Sequence, residues 1–143
     1  MVHRNTYVNG PTVLRETWQL RNHASIFFAG QMSGVEGYVE SAASGLLAGV
    51  NAAALATGQA PSAPPRTTAI GALAFYASHA NPAHYEPSNI TFGIMEPMEV
   101  RPGHSQTAGQ GKKPRTMSKL DKKLAIANRA LEDLAVWMRQ AAA

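Results

Sequence analysis

Cysteine is absent from all 143 residues. That excludes a disulfide framework, thiolate zinc sites, iron–sulfur ligation and a cysteine nucleophile, and it agrees with a reducing, cytoplasmic compartment. No run approaches the roughly 20 apolar residues of a membrane span. The longest candidate, residues 42–56, is interrupted by Ser44 and Asn51, so no membrane association is expected. The first residues, Met1-Val2-His3-Arg4-Asn5, lack an apolar h-region, which argues against a signal peptide. The five histidines (His3, His23, His79, His84 and His104) are scattered, and no pair has the spacing of a helical metal site, so no metal is expected. Neither a G-x-G-x-x-G dinucleotide fingerprint nor a G-x-S-x-G nucleophile elbow occurs.

What is present is a chain with 45% hydrophobic and 15% charged residues, a composition suited to one globular body of modest core. The net charge of +4 is uneven. Residues 1–100 carry four Lys or Arg against six acidic residues, whereas residues 101–143 carry nine against three. The basic excess belongs to the tail, where it either solubilises the chain or attracts polyanions.

Local signals divide the chain further. Residues 3–10 and 25–30 read as short strands, the first closed by Asn9-Gly10-Pro11 and the second an apolar run, Ser25-Ile26-Phe27-Phe28-Ala29, ending at Gly30. Residues 12–22 read as a bend or an edge strand. A long helix is predicted over 37–57, stopped by Gly58. Ala42, Gly45, Gly49, Ala52 and Ala56 give it one face of small residues, which predicts close approach of a backbone or a flat ligand. A proline-rich connector (Pro61, Pro64, Pro65) leads to a second helix over 67–79, capped by Thr67 or Thr68. Residues 81–102 are loop-rich, and 101–117 form a basic linker read as mobile. The last helix, from 118, opens with Ser118 and Asp121 as a capping-box variant. Its seam of Leu120, Leu124, Ala127, Leu131, Leu134 and Met138 either packs on the body or pairs as a coiled coil.

A strand ending in glycine and leading through a glycine-rich turn into a helix aims free N–H groups and a partial positive charge at one place. Anionic or electron-rich ligand groups are held this way. Glu36 and Glu40, one turn apart, lie at the same helix start.

From Phe27-Phe28-Ala29-Gly30-Gln31-Met32-Ser33-Gly34-Val35-Glu36-Gly37-Tyr38 to Val39-Glu40-Ser41-Ala42-Ala43-Ser44-Gly45-Leu46, the sequence closely resembles the bacterial folate- and FAD-dependent tRNA (uracil-5-)-methyltransferases, the TrmFO family. Three further stretches support the resemblance: His3-Arg4-Asn5-Thr6-Tyr7, Ala69-Ile70-Gly71-Ala72-Leu73 and Asn89-Ile90-Thr91-Phe92-Gly93. It spans residues 3–97. The sister family of glucose-inhibited division proteins, which modify the tRNA wobble uridine, shares Phe28-Ala29-Gly30-Gln31 but differs at Val35-Glu36 and Val39-Glu40-Ser41.

The resemblance implies an α/β fold in which residues 1–100 are the C-terminal portion of a Rossmann-like FAD-binding domain, with residues 118–143 as a long C-terminal helix. It implies that Gly30, Gln31, Gly34, Val35, Glu36, Gly37 and Tyr38 bind the cofactor, with the helix start facing the pyrimidine edge of the flavin. By family position, His3, Arg4 and Asn5 belong to a folate or flavin pocket. The implied reaction passes a one-carbon unit from methylenetetrahydrofolate, by way of reduced FAD, to uracil C5 in the tRNA T-loop, with NAD(P)H restoring the flavin. The family's cysteines and its pyrophosphate-binding glycine fingerprint have no counterpart here. The chain is therefore expected to be inactive alone and to require the N-terminal portion of the enzyme, and no catalytic residue is assigned. Lys112, Lys113 and Arg115 are candidate tRNA contacts by charge. A reading from a different class, a non-catalytic RNA-binding or assembly module, rests on the basic tail and the last helix.

Overall fold

The computed structural model describes residues 6–98 and 118–141. Its helices are α1 (Gly10–Val13), α2 (Tyr38–Ala56), α3 (Ala69–His79) and α4 (Lys119–Ala141), with 3-10 turns at Gly30–Ser33 and Pro82–His84. Among the described residues no strand forms. Pairing is limited to isolated bridges: Leu14 with Leu20 and Gln19 with Phe27, both antiparallel, and Val35 with Ser88, parallel.

The expected strand at 25–30 is thus reduced to one paired position. Leu20 N–H donates to the Ile26 carbonyl (2.9 Å) and Phe28 N–H to the Trp18 carbonyl (3.0 Å), and among the described residues no neighbour extends this ladder. A strand without a continuous partner is marginal. In the expected strand at 3–10, residues 6–9 have no regular structure, and Val8 N–H donates to the Met32 carbonyl (2.9 Å). The Asn9-Gly10-Pro11 signal opens α1 instead of a turn, because proline's fixed φ suits a first helical position.

Residues 12–22, read as a bend or edge strand, form a tight hairpin. Arg15 N–H donates to the Gln19 carbonyl (2.8 Å) and Trp18 N–H to the Arg15 carbonyl (3.0 Å). Trp18 occupies the left-handed position of this turn at φ +66°. The strain of about 1–2 kcal/mol is offset by burial of the whole indole, since Trp18 is the largest fully buried side chain. Around it the core gathers Leu14, Val35, Leu47, Ala48, Leu73, Ala74 and Ala77.

Helix α2 meets its predicted limits. Gly58 N–H donates to the Leu55 carbonyl and Gln59 N–H to the Ala54 carbonyl, a Schellman closure. Its inward stripe is Ser44, Leu47, Ala48 and Asn51, not the small-residue face. The Ser44 hydroxyl accepts from Gly30 N–H (2.9 Å). Asn51 donates to the Thr17 carbonyl (3.2 Å) and accepts from Ser62 N–H (2.8 Å). These polar anchors set the rotation of the helix. A Cβ added at Gly45 or Gly49 would meet nothing within 4 Å, so the predicted close approach does not occur among the described residues. Leu46, Val50 and Leu55 face outward. At 19 residues and a mean window hydropathy of 1.3, α2 is long and apolar enough by length and composition to cross a membrane, contrary to the sequence estimate. Its Ser44 and Asn51 bonds nevertheless tie it to the body.

Helix α3 begins at the predicted cap: the Thr68 hydroxyl accepts from Gly71 N–H (3.0 Å). It buries residues 71–74 with Ala77 and Ser78. Helix α4 starts from the expected capping box, with Asp121 N–H donating to the Ser118 hydroxyl (3.1 Å), which donates to the Asp121 carboxylate (2.7 Å). It lies on the body, joined by hydrogen bonds from Thr67 to Asp133 and from Arg129 to the Glu96 carbonyl. Trp137 packs against the core. The predicted seam is only partly the contact face: Ala127 and Leu134 are half-buried, while Leu120, Leu124, Leu131 and Met138 face outward.

Candidate functional site

The loop between Phe28 and α2 is wound by its own hydrogen bonds. Gly34 N–H donates to the Gln31 carbonyl (3.0 Å), and the Ser33 hydroxyl to the Gly30 carbonyl (2.7 Å). Gly34 sits at φ +79°, and a Cβ there would lie 2.3 Å from the Tyr85 hydroxyl oxygen. Gly37, at φ +94°, forms the N-terminal cap of α2. Both positions demand glycine, the first for conformation and space together.

Residues 85–90 close the other side. Glu36 N–H donates to the Ser88 carbonyl and Ser88 N–H to the Gly34 carbonyl, each at 3.0 Å. The Tyr85 hydroxyl donates to the Ser33 carbonyl (2.7 Å). Ile90 N–H donates to a Glu40 carboxylate oxygen (3.3 Å). Glu40 is thereby engaged while Glu36 is exposed, and the two carboxylates do not form a buried pair.

The result is a cavity of about 440 Å³ lined by Tyr7, Gln31, Val35, Glu36, Gly37, Tyr38, Ser41, Pro87 and Asn89. Its volume lies in the range of small-molecule sites. The start of α2 stands in its wall. No side chain caps that start, and the N–H groups of Tyr38, Val39 and Glu40 have no partner among the described residues. Free N–H groups and the helix dipole together favour an anionic or electron-rich group there.

Five of the seven cofactor candidates, Gln31, Val35, Glu36, Gly37 and Tyr38, line this cavity. Gly30 and Gly34 do not; they hold the loop from behind, through Ser44 and Tyr85. His3, Arg4, Asn5, Lys112, Lys113 and Arg115 lie outside the described residues. Sequence reasoning missed Tyr7, Ser41, Pro87 and Asn89, although Tyr7, Ser41 and Asn89 fall within the stretches that carried the resemblance. Among the described residues, no cluster of three metal-ligating side chains occurs.

Tyr85 supports the loop from inside. Burial, with Tyr76 and then Tyr7 nearby, pushes its phenol well above the ordinary 10.0. The neutral form is favoured in the folded state, so this contribution to stability is complete below pH 10 and is lost as pH rises further. Stability is expected to fall by about 1.4 kcal/mol per pH unit above that point. Denaturant melts of Tyr85→Phe should lack this alkaline slope; a slope equal to the parent's would assign it to another group.

The comparisons with known proteins bear on this loop. A family model described as glucose inhibited division protein A matches residues 1–60, which include the turn and all of α2. That match covers the site-bearing segment. A methylenetetrahydrofolate–tRNA-(uracil-5-)-methyltransferase TrmFO of Symbiobacterium thermophilum is 48% identical over 137 residues, covering 96% of this chain and 28% of its own length. The protein of the same name from Pelotomaculum thermopropionicum is 55% identical over 101 residues, covering 71% of this chain and 23% of its own. One from Streptococcus pyogenes is 48% identical over 134 residues, covering 94% and 27%. By sequence the chain is similar to TrmFO proteins over nearly its whole length. It spans about a quarter of the length of these relatives. With 96% of the chain matched, the similarity extends past residue 97 into α4, farther than the sequence motifs alone indicated.

Proposed function

We propose that this chain is the part of a folate- and FAD-dependent tRNA (uracil-5-)-methyltransferase that holds the pyrimidine edge of the flavin. The observation that carries the reading is the uncapped start of α2 in the wall of the 440 Å³ cavity. The residues fit an electron-rich ring edge: unpartnered N–H groups at 38–40, a backbone held open by Gly34 and Gly37, and Tyr38 beside it. When bound, the flavin supplies the carrier that moves a one-carbon unit from methylenetetrahydrofolate to uracil C5, with NAD(P)H as reductant.

The chain's own residues act by position and charge. The N–H groups of the first turn of α2 stabilise negative charge at the ring edge. Gln31 and Asn89 offer amide donors and acceptors from opposite walls. Val35, Pro87 and Tyr7 exclude water from the inner side. Within the complete enzyme, residues 25–30 take their place as a strand of the Rossmann-like α/β sheet. The N-terminal portion covers the outward apolar face of α2, where Val39 and Leu46 are 77% and 68% exposed. tRNA is the substrate, which places the reaction in the cytoplasm.

The test replaces the matching segment of the Symbiobacterium thermophilum protein with this chain. The chimera should retain flavin on purification and methylate an unmodified tRNA transcript. Gly37→Val in that chimera should lower flavin occupancy at least about tenfold, by crowding the cap against Glu40. Flavin binding and methylation both unchanged in Gly37→Val would refute the assignment of this loop.

A further inference from the structure

Residues 6–98 contain three Lys or Arg side chains: Arg15 and Arg21 lie with His79 around one hollow, and Arg66 packs on the Phe75 ring against which His79 also stacks. Arg15, Arg21 and His79 line one open, polar hollow of about 470 Å³ on a side of the body that shares no lining residue with the flavin cavity. Arg21 reaches it by donating to the Ser78 carbonyl (3.0 Å), and Arg15 by donating to the Arg21 carbonyl (3.2 Å). Each bond uses one arm of a guanidinium that carries five N–H donors.

Beside the hollow stands a column of flat groups. The Arg66 guanidinium carbon lies 3.6 Å from the Phe75 ring centroid, and the Phe75 and His79 rings stack at 4.4 Å with an interplanar angle of 2°. Two groups so close cannot share one face of the phenyl ring, so Phe75 lies between them. The outer faces of Arg66 and His79 are then the ends of the column, and both residues are exposed. Glu16, 3.6 Å from His79, is the acidic group lining the hollow.

Exposed guanidinium forks beside an aromatic platform are the two components of contact with a single-stranded or looped nucleic acid: ionic contact with phosphates and stacking of unpaired bases. We propose that Arg15 and Arg21 take phosphates of the RNA substrate while an unpaired base extends the column of Arg66, Phe75 and His79. This rests on the reading of the chain as part of a tRNA-modifying enzyme. It assigns the RNA to the folded body, separately from the basic tail.

The experiment measures binding of the 143-residue chain to an unmodified tRNA transcript across a range of salt concentrations, with heparin as a polyanion that has no bases. Arg15→Gln with Arg21→Gln should weaken tRNA binding about tenfold or more and reduce the slope of log K against log salt by about 2. Arg15→Lys with Arg21→Lys retains the charges and should keep the slope, which separates this effect from lost backbone bonds. His79→Ala should weaken tRNA binding at least about fivefold without changing heparin binding, whereas His79→Tyr keeps a stacking ring and should restore it. An unchanged slope in the double Gln variant overturns the proposal. So does His79→Ala binding tRNA like the parent, which would leave only an unspecific polyanion surface. Flavin retention by the chimera is read separately, so failure of the cofactor assignment is distinguishable from failure of this surface.

Discussion

Trp18→Ala is expected to remove a large share of the protein's stability. Trp18 is 1% exposed and touches the core from a turn that joins both antiparallel bridges. Truncating a buried tryptophan costs about 3–5 kcal/mol, against a total of about 5–15 kcal/mol for an ordinary domain. Alanine gives no relief at φ +66°, because its Cβ meets the same left-handed penalty. The indole N–H has no hydrogen-bond partner among the described residues, so Trp18→Phe removes an unsatisfied donor along with some volume and should be far milder. Urea melts of the two variants provide the check. A Trp18→Ala midpoint within experimental error of the parent's would show that the hairpin is not part of the cooperative core.

The second large effect belongs to Gly34→Ala. The new Cβ would stand 2.3 Å from the Tyr85 hydroxyl oxygen and 2.8 Å from its ring, at φ +79°. Either the loop leaves its left-handed turn or Tyr85 swings out and abandons the Ser33 carbonyl. Backbone strain of about 1–2 kcal/mol and a broken buried hydrogen bond of about 1–3 kcal/mol together suffice to displace the loop. Adding Tyr85→Ala to Gly34→Ala vacates the space and should recover part of the loss, giving a favourable coupling in a double-mutant cycle read by thermal melts. Strict additivity would mean that the two residues do not meet as described.

The helices were legible in the sequence because their signals are local. Thr68, Ser118 with Asp121, and Gly58 each act within a few residues, and each does what its type predicts. The rotation of α2 was not legible. Counting small residues pointed to Gly45 and Gly49, whereas Ser44 and Asn51 decide the inward face through partners at Gly30, Thr17 and Ser62. A polar residue on a buried stripe looks like a solvent position until its partner is known. The strand expected at 25–30 is present among the described residues only as one bridge, for a related reason: an apolar run records burial, but pairing depends on what lies alongside. In the cavity, Gln31 and residues 35–38 were found and their opposite wall was not, since nothing local marks Pro87 or Asn89 as facing Gln31.

The hydrogen bond from Tyr85 to Ser33 joins residues 52 positions apart, and the bridge of Val35 with Ser88 lies just beyond it. Closing a loop of that length costs on the order of 3–4 kcal/mol of chain entropy before either contact returns anything. Helices α2 and α3 need no such closure and form from near neighbours. The order of assembly follows: helices first, then the docking of α3, and last the wall that completes the cavity. A chain halfway through folding therefore has the start of α2 but nothing facing it, and the complete cavity exists only at the end of folding.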